Sequence, residues 1–443
     1  MYNPALVRSL TFCMIVLVCS SIFSDGQHLS GQAAHNKQTL QYVVFLSRHG
    51  VRSPTKEPSQ FYPYSAAPWP QWSVSPGYLT PHGFSLMKLF GAYDRADLAA
   101  KGLLSPAGCR DASAITILAD SDQRTRETGK AIAEGMFPGC NIEVHAKPEG
   151  THDPLFHAPR GGLGNTDPRQ EVAAIVGRIG GDPNNLTLAY RSRLSALDHV
   201  LAGCGKVSAG DHERVSLFDI KPGLGASEGE HSFQLRGPLS TASTLSENLL
   251  LEYAEGFKGA DLGWGCLDEN ALREIMDLHT AASDFDQRTP FIASMYASNL
   301  LDHILKSIEQ SAAGKTVPGA LGRPSDRVLF LSGHDTNIAT VAGSLRLDWI
   351  VDGRRDDTPP GGTLVFELWR VPSSGEDRVR VFYTAQSLDQ MRAEQPLSLE
   401  HPPLVAPLFV PACSGEDLSC SLAGFTSAVE GAINPAFVNG ISN

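Results

Sequence analysis

Three stretches constrain this chain more than any others: "VVFLSRHG", "AITILADSDQRTR" and "RVLFLSGHDTN". In the first, Val43 to Leu46 make an unbroken apolar run that stops at Arg48 and His49. In the second, Ile115, Ile117 and Leu118 lead into Asp120, Arg124 and Arg126; in the third, Val328 to Leu331 lead into His334 and Asp335. Continuous β-rich runs of this length suit strands buried on both faces, as in a parallel α/β sheet. Ligands of such sheets bind just beyond the carboxyl ends of the strands. All three polar clusters fall at those ends, so the pattern predicts that they converge although they are remote in sequence.

Helices are expected directly after two of the clusters, over "TRETGKAIAEGM" and "TNIATVAGSL". Their N-terminal N–H groups would favour an anion. A further helix is marked by Thr80 as N-cap and Pro81 at its first position, with Gly102 placed to close it. From about 165 to 310 no comparable strand run occurs, and "STASTLSENLLLEYAEGF" and "PFIASMYASNLLDHILKSIEQ" read as helical. The expected fold is therefore α/β: a mostly parallel central sheet flanked by helices, with a second, mostly helical domain inserted and the active site in the cleft between them. The boundaries read as a signal peptide over 1–25, the first part of the α/β domain over 38–160, the helical insertion over 161–312 and the second α/β part over 313–443. A length of 443 residues accommodates this.

Composition narrows the partners. With 42% hydrophobic and 19% charged residues the chain is of the globular class. Its 48 acidic against 36 basic residues argue against nucleic acid or an anionic membrane as the main partner. An anion must then be bound by a local cluster of cations against the global field. At the N-terminus Arg8 precedes the apolar stretch from Leu10 to Phe23, which is shorter than the roughly 20 residues a membrane span needs. It reads as a secretory signal cleaved between Ser20 and His35, leaving no membrane contact. Val18 is larger than the residue a lipidation site at Cys19 wants. Once Cys13 and Cys19 leave with the signal, Cys109, Cys140, Cys204, Cys266, Cys413 and Cys420 remain, an even set that fits three disulfides in an exported chain. There is no CxxC, Walker loop, HExxH or calcium loop, so a mechanism without metal or cofactor is the simpler reading.

Singly, Arg48 or Arg52 reads as an ion-paired surface residue and His49 as a structural histidine. Jointly they mean more. Arginines at strand ends form a clamp of planar N–H donors suited to phosphate. A histidine inside that clamp can attack phosphorus once the cations have drained charge from its oxygens. Asp335, beside a second histidine, can give the leaving alkoxide its proton.

"RHGVRSP" resembles the RHGxRxP signature of the histidine acid phosphatases, and "HDTN" resembles their downstream HD motif. Further likeness lies in "YLTPHG", "DSDQRTRETG", "GWG", "DDTPPGGTLVFELWR" and "CSLAGF", the last three resembling the bacterial periplasmic phytases. The resemblance implies that His49 forms a phosphohistidine, that Arg48, Arg52, Arg124 and His334 hold the phosphate, and that Asp335 is the proton donor. It places Thr55, Lys56, Asp120 and Glu247 near the substrate, although Lys56 and Glu247 read equally well as surface charges. It pairs Cys109 with Cys140 and Cys413 with Cys420, leaving Cys204 and Cys266 to pair by elimination; the subgroup commonly has four disulfides. Thr244 stands where the subgroup has a methionine beside its pocket. The implied protein is a monomeric, periplasmic or secreted phosphomonoesterase, active in acid on a small-molecule phosphate ester such as myo-inositol hexakisphosphate. The alternatives are a glucose-1-phosphatase or broad acid phosphatase, a phosphoglycerate-mutase-like isomerase, and an exported phosphate-binding protein without turnover.

Overall fold

Apolar alternation along the first strand decides the layering. The computed structural model describes residues 38–206, 213–226 and 232–439; the expected signal peptide, with Cys13 and Cys19, lies outside them. The main sheet has eight strands: β1 Thr39–Arg48, β2 Ile115–Ala119, β3 Val144–Ala146, β4 Val328–Gly333, β5 Thr363–Val371, β6 Glu376–Ala385, β7 Leu404–Leu408 and β8 Ser419–Ser421. Their order is β7-β6-β5-β1-β4-β2-β3, with β8 also on β6. Val43 and Phe45 of β1 face one apolar cluster, Tyr42, Val44 and Leu46 the other, as the period of two requires. The first cluster is closed by α1 (Pro81–Ala100) and α2 (Gln123–Met136). The helices α3 (Pro238–Glu255) and α4 (Glu269–Asp286) belong to a third cluster described below. On the opposite face of the sheet lie α5 (Ser298–Ala313), α6 (Asp335–Leu345) and α7 (Leu422–Ala432).

The three apolar runs are the adjacent parallel strands β1, β4 and β2, in register Val43–Val328 and Ile115–Val328. Val43–Arg48 of β1 and all of β4 are covered on both faces and carry no polar alternation, whereas Thr116 and Leu118 leave one face of β2 half-buried. Beyond β1 the sheet turns antiparallel through β5, β6, β7 and β8. There β6 alternates, with Val379, Val381 and Tyr383 buried and Arg378 and Arg380 less so. The sheet is thus parallel from β1 through β4 and β2 to β3, the part that three polar clusters end, and antiparallel on the other side of β1.

The expected helix at Thr80 is present: the Thr80 hydroxyl accepts from the Gly83 N–H (2.9 Å) and Pro81 occupies the first position. Among the described residues between 161 and 312 the chain is mostly helical, with one small hairpin, Gly223–Ala226 against Phe233–Arg236. Leu245, Leu249, Leu272 and Ile275 of α3 and α4 pack with Leu194, Leu197 and Ile292. Residues from outside that stretch, among them Val51, Phe61, Trp69 and Met391, share this core. Residues 37–443 form one compact unit. Among the described residues no helix is long and apolar enough to cross a membrane.

Cys109–Cys140 and Cys413–Cys420 are bonded. The third expected bridge is not formed: Cys204 and Cys266 are both thiols. Burial first, then the neighbouring Cys204, pushes the Cys266 thiol up to about 12. The two lie on separate tight turns in which Cys204 and Trp264 take positive φ, a local geometry that elimination among cysteines cannot foresee.

Candidate active site

The loop after β1 is held on both sides by backbone. Arg48 N–H donates to Gly362 O and His49 N–H to Gly333 O (both 2.9 Å), while His49 O accepts from Gly361 N–H (3.0 Å). Gly50 then passes so close to α1 that a Cβ there would meet Met87 Cγ at 2.7 Å and Gly83 O at 2.9 Å. Its N–H donates to Thr128 Oγ1 of α2 (3.0 Å). Asp120 is fixed by its N–H to Ser332 O (2.9 Å), which ties the end of β2 to that of β4. His334 caps α6, its N–H donating to Asn337 Oδ1 (2.9 Å), and Asp335 is the first residue of that helix.

These strand ends bring His49, Arg52, Asp120, Arg124, His334 and Asp335 into one cleft of about 830 Å³, with Thr55 and Lys56 on its wall. The rings of His49 and His334 are 5.6 Å apart. Arg48 is fully buried beneath, its Nη1 donating to Thr358 O (2.5 Å). Glu247, on α3, departs from expectation. It does not line the cleft but accepts from Nη2 of both Arg48 and Arg52 (3.1 Å to the latter), so its contact is with the clamp. Thr244, one turn earlier, does line the cleft.

Three donors remain open. The Nε atoms of Arg48, Arg52 and Arg124 are buried and have no hydrogen-bond partner among the described residues. Buried N–H groups on guanidinium cations are costly to leave unmade. Arg52 and Arg124 line the cleft and Arg48 lies beneath it, and guanidinium donors so placed suit a multivalent oxyanion.

The electrostatics sort the titratable groups. His49 Nδ1 lies 2.9 Å from Gly50 O; a carbonyl only accepts, so Nδ1 carries the proton and Nε2 keeps its lone pair. Burial, then Arg124, Arg48 and Arg52, drive the His49 pKa well below the usual imidazole value. Asp335 is 3.7 Å from Arg48 Nη2 and 3.9 Å from His279 Nε2. Burial favours its neutral form, but Arg48 and then His279 and Arg52 outweigh it and hold the carboxyl well below the usual range. Asp120 Oδ2 accepts from Nε2 of His334 (2.7 Å) and of His157 (2.8 Å). Against the burial that raises it, these bonds keep Asp120 ionised.

Sequence reasoning missed His157, His152, Arg160, Thr336 and His279. The first four line the cleft, and His279 approaches Asp335 and accepts or donates at Ser243 Oγ (3.1 Å). His157 in "DPLFHAP" sits in a loop without periodicity, and His279 in a helix where a lone histidine reads as core. No local signal marks either.

A cleft ending a parallel sheet, with a neutral histidine ringed by guanidinium groups and a carboxyl opposite, defines a histidine-centred oxyanion site. Residues 39–160 and 280–384 match the family described as the histidine phosphatase superfamily (branch 2), and the chain belongs to it. Phytase AppA of Escherichia coli (strain K12) is 38% identical over 411 residues, covering 90% of this chain and 93% of that protein. The glucose-1-phosphatase of Providencia rettgeri is 28% identical over 400 residues, covering 89% and 91%. The Hafnia alvei phytase solved with tartrate superposes with a TM-score of 0.82, and solved with myo-inositol hexakis sulphate with 0.80. It is 33% identical, covering 91% of this chain and 99% of that one.

Proposed function

We propose that this protein is an exported phytase: a phosphomonoesterase that hydrolyses myo-inositol hexakisphosphate through a phosphohistidine on His49. The observation that carries the chemistry is the set of three unpartnered buried Nε–H groups around a histidine whose Nε2 is unprotonated. Arg48, Arg52, Arg124 and His334 hold the phosphoryl oxygens. His49 Nε2 attacks phosphorus, the P–O bond to the leaving group breaks, and Asp335 protonates the departing alkoxide. Water then displaces the histidine, with Asp335 taking its proton.

Asp335 must be protonated for the first step, yet Arg48, His279 and Arg52 hold it ionised. The bound phosphoryl dianion resolves this, because it neutralises Arg48 and Arg52 and so removes what depresses the carboxyl. His49 has the complementary property: its depressed pKa keeps the imidazole neutral into mild acid. Activity below neutrality follows from both.

A cleft of about 830 Å³ is larger than one phosphate needs. Lys56, Arg160 and His152 on its wall offer positive or hydrogen-bonding contacts to further phosphates, which supports the phytase reading over a sugar-phosphate specificity. The two disulfides support export to the periplasm or beyond. We further read 161–312 as a helical insertion and the protein as a monomer. Specificity constants on phytate, glucose 1-phosphate and 4-nitrophenyl phosphate test the substrate; a phytate value no higher than that for glucose 1-phosphate would favour the alternative.

A further inference from the structure

Two clusters of metal-ligating side chains lie in the cleft region, and they differ in charge. The group Glu247, His279 and Asp335 is occupied by Arg48 and Arg52, whose guanidinium groups oppose a cation. The group Asp120, His157 and His334 is of another kind. One oxygen, Asp120 Oδ2, accepts from Nε2 of both imidazoles, at 2.8 and 2.7 Å. The other, Oδ1, is buried without a hydrogen-bond partner among the described residues, on a carboxylate that is 1% exposed. A fourth donor, Asp122 Oδ2, stands 3.7 Å from His334 Nε2 and is paired with Arg124 (2.5 Å), whose Nη2 also lies 3.4 Å from His334 Nδ1.

We propose that Asp120, His157 and His334 form an inhibitory site for a divalent transition ion of the zinc class, with Asp122 or water in the fourth position. Two imidazole nitrogens and one carboxylate around one point are a zinc donor set. Bonds of about 2.0–2.1 Å at tetrahedral angles would separate the ligand atoms by about 3.4 Å. The present N···O distances of 2.7 and 2.8 Å therefore open by about 0.6 Å, with the ion replacing the protons that now bridge them. His157 is carried by a loop free of helix or strand, which can yield by that amount. The same shift moves the ring of His334, the residue shared with the phosphate clamp. Occupancy therefore lowers kcat/KM, and this part of the proposal rests on the phosphate-binding reading given above.

The test separates the two. Calorimetric titration of the intact protein with zinc chloride, in phosphate-free buffer, is compared for the parent, His157→Gln and His145→Gln. His145 is an exposed histidine on β3 outside the cleft. One strong site is expected in the parent and in His145→Gln, weakened at least tenfold in His157→Gln; equal affinity in the parent and His157→Gln, or no binding by the parent, overturns the site. Hydrolysis of 4-nitrophenyl phosphate is then followed with and without zinc. The ion should lower kcat/KM several-fold in the parent and leave His157→Gln, relative to its own zinc-free rate, nearly unchanged. Equal inhibition of both overturns the assignment of the inhibition to this site. Absence of hydrolysis by the zinc-free parent would overturn the phosphatase reading alone, since the titration does not depend on it.

Discussion

In the proposed mechanism His49 would owe its reactivity to neighbours that disfavour its charged form. Burial and the three guanidinium groups keep the imidazole neutral, and the Gly50 carbonyl beside Nδ1 leaves Nε2 unprotonated. Asp335 is held ionised by Arg48, His279 and Arg52, and in the proposed mechanism it becomes an acid when a phosphoryl group offsets the two arginines. Asp335→Asn should accordingly lower kcat on alkyl phosphates by about 10²–10⁴-fold. On 4-nitrophenyl phosphate, whose leaving group scarcely needs a proton, the loss should be far smaller; equal losses in parallel steady-state assays would rule out a general acid here. Glu247 makes a different prediction. It neutralises two buried arginines, so Glu247→Gln leaves uncompensated charge, a defect that typically costs about 3–5 kcal/mol. Thermal melts should show a lowered Tm that added phosphate restores by more than it raises the parent's. An identical phosphate response in both proteins would contradict the bridging role.

At the level of elements, the site is the meeting of β1, β2 and β4 with the N-termini of α2 and α6. This much was legible in the sequence, because three apolar runs each broke abruptly into polar residues and a doubly covered strand leaves no other pattern. Thr80 was legible too: the threonine–proline pair marks a helix start, and its hydroxyl accepts from Gly83 N–H. Thr80→Ala should cost about 1 kcal/mol in a denaturant titration, more if the hydrogen bond to Glu255 (2.6 Å) is felt. A change under a few tenths of a kcal/mol would mean the cap is redundant. The antiparallel strand β6 was less legible, since its half-polar alternation is common to many folds. His157, His279 and the contact of Glu247 with the clamp were illegible. Each depends on tertiary approach between elements remote in the chain, and a lone histidine or glutamate carries no periodic signature. Cys204 and Cys266 show the converse: counting parity pairs them, whereas they stand as two neighbouring thiols.

For the whole molecule, acidity is favourable twice over. Burial raises Glu252 to about 8 and Asp286 to about 7. Each folded carboxyl thus binds a proton that the unfolded chain releases near pH 4, so stability falls as pH rises from there through the folded values. Asp120 and Asp335 act oppositely, and their contribution is lost only as pH drops below the ordinary carboxylate range. Maximum stability is therefore expected in acid below neutrality, with further gain below about pH 6.5 opposed by His49 and His334, whose charged forms the fold disfavours. Melting temperatures should decline from there to pH 8, and Glu252→Gln should flatten the decline; a maximum at or above neutrality would contradict the assignment. The net charge of −12 at pH 7 shrinks over the same interval, which also eases the approach of a polyanion. The claim on which the rest depends is the covalent step. Brief mixing with phosphate ester labelled at phosphorus, denaturation in alkaline detergent where phosphohistidine survives, and peptide mapping test it directly. Label on the peptide containing His49, absent from His49→Ala, is the predicted result; label on another residue, or none during rapid turnover, would contradict it.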